Sequence, residues 1–412
     1  MSQTVDIQGT DLFDWQRRVY NDVHNLDKKY YWIASSRQIG KTVLLQNLIL
    51  DFSINNEGSS IGVVSYTFKQ VKKIYDTIEN FLRETPLYKH SNSTTLEIKL
   101  NNNSVIQFST SKGGNSLRGN TFTHLLLDEL AFFDESLWTE VLQPQLIAKG
   151  QKCVGFSTPF GKNFFFHEWL KGNTEDGQHI SYKFDYTVNP YISNDEIEII
   201  EKNTTRNSFR QEYLAEFISG GVVFEGFTKL LTVDNWEEPD ENKTYYAGID
   251  LANKQDFTVL TILDQSGKVV FMYRDNNTYY ESIVSKLSYY LNMYKPETYL
   301  EVNNIGDVIF EQLQKSYPRV KPFTTSKNSK QDLIQNLILT IEQERLALPT
   351  EKLFSPLKNE MEAYTFKFNP QSNTVQYGHP TGFHDDCVDS LALASKMMQE
   401  RQKSGEYVIM SN

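Results

Sequence analysis

Cysteine is nearly absent: Cys153 and Cys387 are the only two in 412 residues, far apart and without metal-ligand spacing. That pattern excludes a disulfide framework and reads as reduced thiols of a cytosolic protein. Long apolar runs are missing too, and none approaches membrane-spanning length. The start, Met1-Ser2-Gln3-Thr4-Val5-Asp6, lacks the basic and apolar regions of a signal peptide, so a cytoplasmic protein with no membrane partner is expected. Basic residues are outnumbered, 41 Lys and Arg against 52 Asp and Glu, for a net charge of −11. Nothing global therefore advertises nucleic-acid binding, although a local basic groove can act inside an acidic chain. No internal repeat, low-complexity tract, zinc finger or other base-reading signature is present.

What is there is ordinary in bulk. Charged residues make up 23% and hydrophobic ones 39%, which fits a folded globular chain. The length predicts two or three domains, each able to bury a core.

The organising stretch is Ser36-Arg37-Gln38-Ile39-Gly40-Lys41-Thr42. It follows an apolar run, Tyr30 to Ala34, that reads as a buried strand. It precedes Val43 to Phe52, where Leu44, Leu48 and Phe52, with Leu45 and Ile49, recur at helical spacing. Strand, loop and helix with Gly-Lys-Thr at the loop's end is the phosphate-binding arrangement. Backbone N–H groups at the helix start face the anion, Lys41 supplies a cation, and the Thr42 hydroxyl ligates Mg²⁺. The position where the usual pattern opens on Gly holds Ser35 instead.

Upstream, Phe13 to Tyr20 begins a helix after a polar, loose dozen residues. Gln16 on it can both donate to and accept from an adenine edge through its amide. Downstream, Ile61 to Tyr66 and Val105 to Ser109 are short strands. Gly113 to Gly119, which carries Arg118, reads as a surface loop. Thr123-His124-Leu125-Leu126-Leu127-Asp128-Glu129 is an apolar strand ending in two carboxylates, the second half of an ATPase site. Asp128 would hold Mg²⁺, and Glu129 would polarise the attacking water. Cys153 to Ser157 is another buried strand, placing Ser157 and Thr158 near the nucleotide. Strands alternating with helices predict a mostly parallel sheet with ligands at its carboxyl ends.

Residues from about Asp185 to Phe227 look helical and polar, and an acidic stretch from Leu231 to Lys243 marks a domain boundary. The expected division is 1–184, 185–240 as a helical lid and linker, and 241–412. The last part opens with Tyr245-Tyr246-Ala247-Gly248-Ile249-Asp250. Strands Phe257 to Leu263 and Val269 to Tyr273 follow, joined by a turn at Asp264-Gln265-Ser266-Gly267. A helix from about Tyr279 precedes the strand Thr298 to Val302. His384-Asp385-Asp386-Cys387-Val388-Asp389 begins a late amphipathic helix.

Asp250 and Glu301 each sit in the closing part of an apolar strand, while Asp386 and Asp389 lie three apart on one helix face. Carboxylates gathered from separate elements repel, and their usual justification is a bound divalent cation. Two Mg²⁺ or Mn²⁺ ions about 3.5–4 Å apart can activate a water and stabilise the leaving oxygen of a phosphodiester. Which of Asp385, Asp386 and Asp389 would bind metal stays open, with Asp386 favoured and Asp389 next.

Taken in order, these motifs make the chain resemble a tailed-bacteriophage large terminase, from about Phe13 to Lys396. Ser-Arg-Gln-x-Gly-Lys-Thr is similar to that family's variant of the phosphate loop, which accounts for the missing first Gly. Leu-Leu-Asp-Glu, Ser157-Thr158-Pro159 as a coupling motif, Gly-Ile-Asp and His-Asp-Asp-x-x-Asp follow in the family's order. The resemblance implies a P-loop ATPase domain of α/β class with a mostly parallel sheet, followed by an RNase H-like α/β nuclease domain. It implies ATP and Mg²⁺ at the first site and two Mg²⁺ or Mn²⁺ at the second. It further implies adenine contact for Gln16, a catalytic arginine in Arg37, and a between-subunit role for Arg118. Implied partners are double-stranded DNA, the procapsid portal protein, a small terminase subunit and further copies forming a ring. The implied location is the host bacterial cytoplasm, transiently at the portal vertex.

Lys321, Lys327 and Lys330 are candidates for DNA backbone contacts. The acidic net charge suits a motor that must hold DNA processively without gripping it, since phosphate contacts give strongly salt-dependent affinity. Two other readings compete. A helicase-type ATPase carrying a nuclease would need a second motor-like domain, and no second nucleotide motif follows Pro239. A nucleotide-dependent assembly protein would leave the late carboxylates purely structural.

Overall fold

The computed structural model describes residues 12–113, 117–172, 177–218, 220–251, 257–276, 279–302, 306–369, 374–379 and 384–409. For residues 280, 306, 307, 327, 374 and 404–409 it describes the backbone alone. The loose first residues, part of the loop before Arg118 and the Lys327 side chain thus lie outside the described residues. The chain forms two compact units. The first comprises Met1–Glu201, Arg206–Ser219 and Phe368–Thr374; the second comprises Lys202–Thr205, Gly220–Lys367 and Val375–Asn412.

The first unit is built on eight strands: β1 (Tyr30–Ser35), β2 (Ser60–Ser65), β3 (Tyr88–Asn92), β4 (Glu97–Leu100), β5 (Val105–Thr110), β6 (His124–Asp128), β7 (Lys152–Ser157) and β8 (His179–Phe184). Their order is β3-β4-β5-β2-β6-β7-β1-β8. From β5 to β8 all neighbours are parallel, and β3, β4 and β5 pair antiparallel at one edge. Every residue of β6 is buried, as is all of β1 after Tyr30. Continuous apolar runs of this kind are what a parallel sheet covered on both faces requires. Helix α1 (Asp14–Asn25), α2 (Lys41–Asn55) and α3 (Phe68–Arg83) contribute Val19, Leu44, Leu48, Ile74 and Ile78 to the same core cluster as β1 and β2. Smaller helices α4 (Phe164–Lys171), α5 (Asn194–Lys202) and α6 (Arg206–Glu212) complete the elements up to residue 212.

At the start of β6, the His124 ring is buried and stacked on Phe52, with centroids 4.1 Å apart. Burial pulls its pKa from an ordinary 6.5 down to about 4. The unfolded chain therefore takes up a proton there before the folded one does. The stability this neutral ring contributes is present above about pH 6.5 and is lost as pH falls towards 4, up to about 3 kcal/mol. Thermal unfolding of the chain should therefore show a smaller loss over that window for His124→Gln than for the parent. Equal losses in the two proteins would show that His124 is not the group responsible.

The second unit opens with two short strands, β9 (Gly220–Val222) and β10 (Leu231–Val233). Five more follow: β11 (Tyr245–Asp250), β12 (Thr258–Asp264), β13 (Val269–Asp275), β14 (Glu297–Glu301) and β15 (Val320–Phe323). These five form one sheet in the order β13-β12-β11-β14-β15. The hairpin-linked β11, β12 and β13 run antiparallel, while β14 and β15 join parallel to β11. Between and after them come α7 (Tyr280–Tyr294), α8 (Gly306–Ser316), α9 (Lys327–Glu342) and α10 (Glu351–Ala363). The short strands β16 (Leu348–Pro349), β17 (Thr365–Asn369) and β18 (Thr374–Gly378) precede the final helix α11 (Asp386–Ile409).

Helix α11 lies directly on β11, and Gly248 is what permits it. A Cβ there would stand 2.1 Å from the Ser390 carbonyl oxygen. The Ser390 hydroxyl fastens the contact by donating to the Gly248 carbonyl at 2.9 Å. Among the described residues no helix is long and apolar enough to cross a membrane.

Candidate active sites

The first site forms where β1, β6 and β7 end side by side at the carboxyl edge of the parallel sheet. The chain leaves β1 through Ser36 to Gly40 and enters α2 at Lys41. Gly40 has φ of +92°, in the left-handed region, and a Cβ on it would lie 2.6 Å from the Gln16 amide nitrogen. The left-handed φ is what calls for glycine, and a side chain here would also have to push the Gln16 amide aside. The loop is pinned from several directions. Ser36 N–H donates to Phe184 O at 2.9 Å, Arg37 N–H to Glu212 O at 3.0 Å, and the Trp15 indole to Ile39 O at 3.2 Å.

A cleft of about 650 Å³ opens over the loop. Lys41 is buried and points its ammonium at the Thr158 hydroxyl, 2.8 Å away, and at the Glu129 carboxylate, 3.4 Å away. Glu129 has φ of +57°, uncommon for a residue with a side chain. Such local strain directs the carboxylate over the loop instead of along the strand. Asp128 is buried, and its carboxylate accepts from the Ser65 hydroxyl at 3.3 Å. Burial, reinforced by the neighbouring Glu129 charge, lifts the Asp128 pKa to about 6. A carboxylate with that little compensation suits a hard cation held beside Thr42. Ser157 stands behind the site, its hydroxyl 3.4 Å from Glu129 and accepting from the Ala131 N–H at 3.1 Å.

Three of the expected residues are engaged elsewhere. The Gln16 amide is committed, accepting from Phe13 N–H at 2.7 Å and donating to Gly40 O at 2.8 Å, so it clamps the loop. Arg118 sits outside the cleft, exposed, with its guanidinium 3.6 Å from Glu140. Arg37 lines the cleft, but its guanidinium is bound to the Glu212 carboxylate of α6. The Gln38 carbonyl accepts from the Asn189 amide at 2.8 Å. Tyr66, Gln70 and Phe132 also line the cleft. Their one signal in sequence was position, just after strands that end at this edge.

The second site lies on the other unit. Ile249 pairs with Leu300, so Asp250 and Glu301 leave adjacent parallel strands at the same edge. The start of α11 is laid against them through Gly248, bringing Asp386 and Asp389, both buried. Asp250 is pushed well above the usual carboxylate range by burial first, then by Asp389, Glu301 and Asp386 in turn. Asp389 itself rises to about 7, driven by burial and held back by Lys330. Of the three late acids, Asp389 bears most strongly on Asp250. Asp386 accepts from the Phe257 N–H at 3.3 Å, and Asp385 faces Lys330 at 3.6 Å and His379 at 3.4 Å.

Glu360 on α10 had no local sequence signal. Its buried carboxylate accepts from the N–H groups of Cys387 at 2.7 Å and Val388 at 3.3 Å, tying down the first turn of α11. The donor set suits an oxygen-seeking divalent ion: all carboxylates, with the buried Asp389 Oδ1 lacking a hydrogen-bond partner. As folded, however, no three His, Cys, Asp or Glu side chains among the described residues are grouped closely enough to hold one. Lys330 is bound to Asp389 in that cluster, and Lys321 is exposed.

Residues 32–228 match the model of the terminase large subunit, T4likevirus-type, N-terminal family. The terminase large subunit of Thermus virus P23-45 is 28% identical over 309 residues, covering 68% of this chain and 62% of that protein. The chain thus aligns with less than two thirds of that relative's length. The large terminase of the thermophilic bacteriophage D6E has the same fold, with a TM-score of 0.56 over 94% of this chain and 100% of that one at 14% identity. Its complex with ATP-gamma-S aligns with a TM-score of 0.53 over 94% and 100%, also at 14% identity. The chain is thus similar in sequence and in fold to phage terminase large subunits, and its residues 32–228 match the model of their N-terminal domain.

Proposed function

We propose that this chain is the large subunit of a DNA-packaging terminase. It would use ATP hydrolysis to drive double-stranded viral DNA into a procapsid and would cut the concatemeric genome with a metal-dependent endonuclease. The observation that carries this reading is one chain holding two strand-end acid centres of different kinds. One faces a phosphate-loop lysine, with Lys41 3.4 Å from Glu129; the other gathers acids around Asp250. A terminase of this fold is known with ATP-gamma-S bound. In this reading 1–184 is the ATPase domain, 185–240 the lid and linker, and 241–412 the RNase H-like nuclease.

At the first site, backbone N–H groups of Gln38 to Thr42 would cradle the phosphates, with Ser36 completing the loop. Lys41 would leave Thr158 for the β- and γ-phosphate oxygens, and Glu129, released from Lys41, would accept a proton from the attacking water. Thr42 and Asp128 would hold Mg²⁺, which neutralises charge developing on the phosphates. Ser157 and Thr158, in contact with Glu129 and Lys41, would carry the change onward. Arg37 would have to exchange Glu212 for the γ-phosphate to act within its own subunit. Exposed Arg118 would reach a neighbouring subunit's site in a ring, and Gln16 would have to turn its amide to meet adenine. At the second site Asp250, Glu301, Asp386 and Asp389 would hold two Mg²⁺ or Mn²⁺, which activate water and stabilise the leaving oxygen. The partners would be DNA, the portal protein and a small terminase subunit, in the host cytoplasm and transiently at the portal vertex.

The test is packaging itself. Added to portal-bearing procapsids, the full chain should protect linear DNA from an external nuclease only when ATP is supplied. Protection without ATP, or none with it, would count against the motor.

A further inference from the structure

The carboxylate centre of the second unit already contains a cation of its own. Lys330 sits in the first turn of α9, which Ser326 starts by accepting from the Ser329 N–H at 3.2 Å. Helix α9 packs against α11, and the Lys330 ammonium is bound to Asp389 while standing 3.6 Å from Asp385. The nearby Arg274 is engaged elsewhere, 3.6 Å from Glu360 and 3.3 Å from the centre of the Phe257 ring, while His379 stands 3.4 Å from Asp385 and His384 3.7 Å from Asp386.

We propose that Lys330 is a built-in counter-ion of this centre, holding Asp389 and Asp385 in the place a divalent cation must take, so that metal binds by displacing the lysine. The proposal rests on the nuclease reading and deepens it.

Three observations carry it. Asp389 is 5% exposed and offers one oxygen to Lys330 while Oδ1 has no hydrogen-bond partner, so half of a ligating carboxylate is spent on the lysine. The acids are close enough to repel one another, and Lys330 is bound to one of them and 3.6 Å from a second, where its charge offsets that repulsion. Finally, the Lys330 side chain is 26% exposed, so its long stem can carry the charge out to water when an ion arrives. A compact, strongly hydrated ammonium on a flexible chain is suited to such an exchange, where a planar guanidinium would be harder to dislodge.

The consequence is a centre held together without metal and weakened in its affinity for one. A divalent ion, with ligands at about 2.0–2.6 Å, satisfies several carboxylates at once and can outcompete a single positive charge. It does so only at a concentration raised by the cost of removing the lysine.

Mn²⁺ binding to the nucleotide-free full chain, measured by titration calorimetry, tests this, with Asp250→Asn as the blank for this centre. Lys330→Gln should bind Mn²⁺ about ten-fold tighter than the parent or more, since one nearby opposite charge shifts such equilibria by one unit or more. It should also unfold at a lower temperature without metal and gain more from Mn²⁺ than the parent gains. Lys330→Arg, which keeps the charge, should bind Mn²⁺ no tighter than the parent. Unchanged or weaker Mn²⁺ affinity in Lys330→Gln, beside a parent that binds through Asp250, overturns the counter-ion role alone. Tighter binding in Lys330→Arg overturns it as well, even if the Gln variant does not fold. A parent with no Asp250-dependent Mn²⁺ binding removes the nuclease reading, and this proposal with it.

Discussion

Asp250→Asn is expected to abolish DNA cutting and leave ATP hydrolysis at the parent rate. The side chain keeps its size, so the end of β11 and the packing of α11 at Gly248 should be unchanged. What is lost is a ligand charge on the carboxylate the others surround. Removing even an outer partner of a metal site costs roughly 10–100-fold in affinity or activity, and a direct ligand should cost more. Glu301→Gln should behave alike, because Ile249 and Leu300 are paired and the two acids share one strand edge. Asp386→Asn should weaken cutting too, while its carbonyl can still accept from the Phe257 N–H.

A stability measurement separates this outcome from misfolding. In the metal-free protein Asp250 is buried among acids that disfavour its charged form, with Lys330 offsetting them only in part, so the Asn variant should unfold at an equal or higher temperature than the parent. It should also lose most of the stabilisation that Mn²⁺ confers on the parent. Plasmid cleavage in Mn²⁺, ATPase turnover and thermal unfolding, run together, decide the matter. If all three variants cut like the parent, the second unit has another purpose.

Lys41→Ala and Glu129→Gln should both stop ATP hydrolysis, for different reasons. Lys41 lies beneath the cleft with its charge directed at Thr158 and Glu129, where phosphate oxygens would compete for it. Its loss removes charge-assisted hydrogen bonds worth about 1.5–3 kcal/mol, roughly ten- to hundred-fold in nucleotide affinity. Glu129→Gln keeps the hydrogen bond from Ser157 and the shape of the turn but cannot take a proton. Turnover should fall by about 10²–10⁴ while ATP still binds. A fluorescent-nucleotide titration beside a phosphate-release assay reads both effects. Equal loss of binding in the two variants would contradict these roles. Mixing Arg118→Ala with Lys41→Ala subunits then tests Arg118, since only an arginine acting between subunits lets a mixture recover activity.

The parts of this protein legible in sequence are those with a local cause. A buried parallel strand is an unbroken apolar run, and the residues that close it necessarily lie at the sheet's carboxyl edge. That is enough to put Lys41, Asp128, Glu129, Ser157 and Thr158 at one edge and to put Asp250 and Glu301 at strand ends, while the adjacency of those two strands belongs to the fold. Gly40 and Gly248 stand inside those motifs, and the structure supplies their reasons: a left-handed turn against Gln16, and the close approach of α11.

What local pattern could not supply is which charge meets which across packed helices. Lys330 and Asp389 are 59 residues apart, Arg37 and Glu212 are 175 apart, and Glu360 reaches the α11 start across 27. Lys330 read from sequence as a surface lysine available to DNA; the packing of α9 on α11 gives it to the carboxylates instead. Gln16 had a free amide on paper, and the proximity of α1 to the phosphate loop uses both ends of it. Periodicity fixes which face of an element is buried, but its neighbour across the interface is set by the packing of the whole unit. The partners of Lys330, Arg37 and Glu360 were therefore decided only in the tertiary structure.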